Sequence, residues 1–102
     1  MLSVAAERIK PMKHKEYNGW TNYETWVVSL WMDNEQSTYD FFREQARHWE
    51  HADDLADFIK EYHEEILPEL KGFAADLMNA AMSEVNWFEI ASHLKADIKE
   101  NA

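Results

Sequence analysis

The chain has 102 residues, with 10 basic and 20 acidic side chains, a formal net charge of −10 and no cysteine. That length fits one domain, and the missing cysteines exclude disulfides, thiolate metal sites and cysteine nucleophiles. A hydrophobic share of 46%, with five Trp, supplies a core and argues against disorder.

The first segment is basic. Residues 1–15 carry Arg8, Lys10, Lys13 and Lys15 against Glu7, a net of +3 that leaves −13 on the remainder. Residues 1–16 read as a flexible tail, with one turn of helix near Val4–Ile9, and residues 17–102 as one acidic helical domain. No apolar run reaches the roughly 20 residues that span a bilayer. The N-terminus lacks a long apolar stretch of the signal-peptide kind, so a cytoplasmic setting is expected.

Only Gly19, Gly72, Pro11 and Pro68 punctuate the chain, too few for a strand-rich domain. The expected fold is all-α, a compact bundle of four to five short helices. Asn18-Gly19 signals a turn. Thr21 to Glu24 reads as a capping box that opens the first helix. Tyr23, Trp26, Val27, Leu30 and Trp31 then recur at helical spacing, and that helix ends near Asp33–Asn34.

Ser37 is the expected cap of a second helix, with Asp40 at its third position and Tyr39, Phe42, Ala46 and Trp49 on one face. A third helix is predicted over about 53–67, where Leu55, Ile59, Tyr62 and Ile66 repeat and Pro68 follows. A fourth covers 72–82, with Phe73, Leu77, Met78 and Ala81 on one side. Asn86 caps a fifth, whose apolar face is Trp87, Ile90, Ala91, Leu94 and Ile98. The expected core includes Trp26, Leu30, Phe42, Ile59, Leu77, Ile90 and Leu94. Connections of two to five residues suggest that neighbouring helices form hairpins.

His48, His51 and Asp54 stand at a spacing that could ligate a divalent ion, but three ligands on one short arc make an incomplete site. A solvated helical face or junction is the better reading, and no native metal or cofactor is expected. Glu44–His48 and Glu89–His93 read as helix-stabilising pairs. With no evident nucleophile and no phosphate loop, the chain is not expected to be an enzyme.

Two features point to binding. Acidic residues cluster from Glu50 to Glu69, with Lys60 as the only base between them. Asp53, Asp54, Asp57, Glu61, Glu64 and Glu65 are the candidate partner-binding residues. Glu50, Asp54, Asp57, Glu61, Glu64 and Glu65 fall in one broad stripe opposite the apolar face of the third helix. Such a stripe can enter a nucleic-acid-binding groove of another protein, although amphipathic helices ordinarily carry charged outer faces. Of the five Trp, Trp20 and Trp31 are the ones expected to remain exposed, and an exposed Trp anchors protein interfaces.

The stretch Y-N-G-W-T-N-Y-E-T-W-V-V-S-L-W, from Tyr17, resembles an N-G-W-x-N-Y-E-T-W-x-x-x-L-W motif of small uncharacterised proteins associated with bacteriophages and plasmids. The matching residues are Asn18, Gly19, Trp20, Asn22, Tyr23, Glu24, Thr25, Trp26, Leu30 and Trp31. Residues 72–91 resemble the later part of the same proteins. The resemblance implies a mobile-element setting, in which small acidic proteins often inhibit host defence. The expected function is an inhibitor of anti-CRISPR or anti-restriction type that binds a host nucleic-acid-binding protein, such as a CRISPR effector or restriction enzyme, in the host cytoplasm. It would bind neither nucleic acid nor membrane. The alternative is a regulatory or assembly module that uses an aromatic surface.

Overall fold

The computed structural model describes residues 16–100. The tail expected over 1–16 lies outside the described residues apart from Glu16, as does the helical turn near Val4–Ile9. The described residues form five helices and no strand, as the 3.6-residue periodicity predicts. They are α1 (Tyr23–Asp33), α2 (Gln36–His48), α3 (Ala52–Ile66), α4 (Gly72–Glu84) and α5 (Trp87–Glu100).

A tight turn precedes α1. Asn18 and Gly19 both take positive φ, 49° and 88°, the pairing that a two-residue reversal of the primed type requires. Tyr17 and Trp20 exchange backbone hydrogen bonds of 2.8 Å across it. The turn delivers Trp20 onto the core, where its ring stacks on His93 at 4.1 Å.

The cap of α1 is Asn22 and not Thr21. Asn22 Oδ1 accepts from the Thr25 amide at 2.9 Å and from the Thr25 hydroxyl at 2.6 Å. The Thr21 amide instead donates to Glu89 Oε1 at 3.0 Å. Asn22 wins because its carbonyl stands three residues before a buried amide, whereas Thr21 is drawn to the start of α5. The α2 helix opens at Gln36 after Glu35, which makes no side-chain cap, so Ser37 lies inside the first turn. The expected cap of α5 is observed: the Glu89 amide donates to Asn86 Oδ1 at 3.0 Å.

Helix α5 is the hub, packed on α3, α2 and α1. Phe42 and Ala46 from α2, Leu55, Ala56 and Ile59 from α3, and Ile90, Ala91 and Leu94 from α5 form the core, closed by Met32 of α1 and Val85. Fully burying one of the larger side chains among these contributes about 1.5–3 kcal/mol. Trp49, Tyr62, Trp87 and Ile98 pack around it, half-buried.

Two expected faces are corrected. Helix α1 turns Thr25 and Met32 inward, while Tyr23, Leu30 and Trp31 are exposed and Trp26 is half-buried. The hydrogen bonds of Thr25 hold that face down, so the more apolar face is left outside. Helix α4 buries no residue, and Phe73 and Leu77 are among its exposed side chains. It rests on α1 and makes little or no contact with α3 or α5, and α2 likewise makes little or no contact with α3. Of the neighbouring helices only α1 and α2 pack together, so the hairpin expectation fails for the rest. Ile66, expected on the apolar face of α3, is also exposed at that helix's last residue.

Candidate interaction surfaces

Asp53 and Asp54 occupy the first turn of α3, where the partial positive charge of the helix N-terminus favours carboxylates. Asp57, Glu61, Glu64 and Glu65 follow. All six are exposed. At 100° per residue they cover about a third of the helix circumference, opposite buried Leu55 and Ile59. Among the described residues no ion pair joins any of the six to a base. A shallow groove runs beside this face, lined by Asp53, Asp57, Lys60, Asn86, Trp87 and Phe88 among others.

The second surface belongs to α1. Trp31 is 64% exposed and Tyr23 53%. Tyr17, Tyr23 and Trp26 form a ring cluster with centroid separations of 5.0, 4.9 and 5.7 Å. Trp20, expected beside Trp31 as an exposed ring, is half-buried over His93 instead. The structure therefore keeps Trp31 as a candidate anchor and moves Trp20 to a packing role.

His48 and His51 do not share a helix. His48 ends α2 and His51 is the N-cap residue of α3, which is the junction reading of that trio. Among the described residues no group of three or more His, Cys, Asp or Glu is placed to hold a metal ion. Glu44 pairs with Arg47 at 3.1 Å, and Glu89 serves the α1–α5 caps.

Three polar devices escape local sequence reading. The Arg43 side chain is 12% exposed and bridges Asp33 at 3.1 Å and Asp97 at 2.7 Å, with its guanidinium 3.8 Å from the Tyr39 ring centroid. It ties the end of α1 to α2 and α5. Lys95 of α5 donates to the Ala46 and Trp49 carbonyls at the end of α2, where a cation also meets the helix dipole. His63 is half-buried beside Phe42, Tyr62 and Trp87, and its Nδ1 is 2.8 Å from the Ile59 carbonyl. Burial pushes its pKa below 6.5, partly opposed by that hydrogen bond. Spacing gives no sign of Asp97 for Arg43, since 54 residues separate them.

The arrangement defines a small all-α protein with a buried packing core and two contrasting outer faces. The chain belongs to a family of unknown function (DUF7249), whose match spans residues 13–101. No curated protein and no solved structure matches it.

Proposed function

We propose that the protein is a non-enzymatic binding protein whose acidic α3 face occupies the nucleic-acid-binding surface of a partner. In the finer form of this reading it is a phage- or mobile-element-encoded inhibitor of host defence, of anti-CRISPR or anti-restriction type, acting in the host cytoplasm. One observation carries the reading: six exposed carboxylates line one side of α3 with no ion pair to a described base. Side chains one turn apart stand about 5–6 Å from each other, so the face presents a repeating row of negative charge. A basic groove is attracted to such a row, and nucleic acid is repelled by it.

The test is a charge reversal with a competition arm. Asp54, Asp57, Glu61 and Glu64 are changed to Lys and the variant is used beside the native protein to retain host proteins. The native protein is expected to retain a nucleic-acid-binding protein, to lose it in about 0.5 M salt, and to lose it to competing DNA or RNA. The reversed variant is expected to associate far more slowly with its fold unchanged.

The exposure of Trp31 and Tyr23 favours one other reading, an interaction module that binds through α1. Retention that survives both the reversal and high salt, and is lost on Trp31→Ala, selects that module and rejects the acidic-face reading.

A further inference from the structure

Helix α4 is an anomaly on elementary grounds. Eight of its 13 residues, FAADLMNAAMSE after Gly72, are Phe, Leu, Met or Ala, yet none is buried. A helix of that composition is ordinarily covered on most sides. One side of it holds Ala75, Met78, Ala81 and Met82, all half-buried. The opposite side is Phe73, Leu77, Ala80 and Glu84, at spacings of four, three and four, with Phe73 80% and Leu77 58% exposed. That is the seam of a helix pair with one helix missing.

We propose that a second copy of this chain supplies it, through an antiparallel pairing of α4 with the α4 of the copy about a two-fold axis near Leu77. Shape argues for this occupant. With Leu77 on the axis, Phe73 falls opposite Ala80 and Ala81 of the second copy, so that a large side chain meets small ones at both ends. Charge argues for it as well. Lys71 precedes α4 and Glu84 ends it, and both are exposed. An antiparallel copy brings each Lys71 to the opposite Glu84, twice over, because a two-fold contact repeats every pair. The two helix dipoles also run in opposition. Thirteen-residue helices bury only several hundred Å2 per copy, the low end for specific association, so the dimer is a weak, reversible one. This surface is separate from the acidic face, and either can fail without the other.

Sedimentation equilibrium of the full chain, from micromolar to millimolar concentration and in low and high salt, tests the pairing. The native protein is expected to dimerise, and more tightly in salt, because two copies of net charge −10 repel and salt screens the repulsion. Leu77→Glu is expected to weaken the dimer at least about tenfold with an unchanged circular dichroism spectrum, since the side chain is exposed. Lys71→Glu and Glu84→Lys are each expected to weaken it, and the double exchange to restore it. A chain that stays monomeric at millimolar concentration overturns the proposal, whether α4 then stays bare or takes up phosphatidylcholine vesicles or a different protein. A dimer indifferent to Leu77→Glu, or a double exchange that fails to restore association, overturns it equally.

Discussion

Asn22, Thr25 and Asn86 join two helix starts that are 61 residues or more apart in the chain. Thr25 is fully buried. Its hydroxyl donates to Asn22 Oδ1 at 2.6 Å and accepts from the Asn86 amide at 2.9 Å. Asn22 Nδ2 donates to the Glu84 carbonyl at 2.7 Å. The two buried polar side chains, Asn22 and Thr25, thus find their partners in each other and at the junction of α4 and α5. Thr25→Val keeps the shape and removes the hydroxyl, so it is expected to cost about 1–3 kcal/mol in urea denaturation. Thr21→Val is expected to cost less than about 1 kcal/mol, because its hydroxyl meets only Asn86 Nδ2, at 3.4 Å and exposed. The reverse ranking would return the cap to Thr21. Lys95→Met removes a cation from the end of α2 while keeping the apolar stem, and a loss of about 1–2 kcal/mol in thermal melts is expected. No loss would mean that the Ala46 and Trp49 carbonyls do not depend on it.

Helices were legible where amphipathic pattern and burial agree. In α3 and α5 the residues spaced at three and four are those in the core, Leu55, Ile59, Ile90, Ala91 and Leu94. The acidic side of α3 followed from the same wheel. In α1 the pattern misleads, because its seven apolar or aromatic residues are spread around the helix and the hydrogen bonds of Thr25 help decide which side faces in. Thr25 looks like a surface residue in the sequence, and only its tertiary partners at 22 and 86 explain its burial. In α4 the pattern marks an apolar side that the structure leaves exposed at Phe73 and Leu77. Arg43 and Lys95 were missed because their partners are distant in the chain. The face assignment in α1 is tested by a pair of truncations. Met32→Ala is expected to cost about 2–5 kcal/mol, since Met32 is 2% exposed, and Leu30→Ala less than about 1 kcal/mol, since Leu30 is 41% exposed. Equal losses in the two melts would turn the helix back.

Across the whole molecule the surfaces divide by chemistry: carboxylates on α3, rings on α1, an apolar seam on α4, and the hub α5 beneath. Acidification acts on this body through His63. Protonating His63 works against folding, because its ring lies among Phe42, Tyr62 and Trp87 and burial holds its pKa below 6.5. The unfolded chain, with His63 near 6.5, therefore binds this proton at a pH where the folded chain still refuses it. Stability rises with pH wherever the unfolded state holds more protons. The His63 contribution is thus fully present above about pH 6.5 and is lost as the pH falls through that value toward the lower folded pKa. His63→Phe keeps an aromatic ring against Phe42 and Trp87 and cannot titrate, so comparing it with the native protein isolates the His63 contribution. Urea midpoints taken between about pH 7.5 and 5 are expected to fall more, or to rise less, for the native protein than for the variant. Parallel curves for the two proteins would remove His63 from the aromatic pocket.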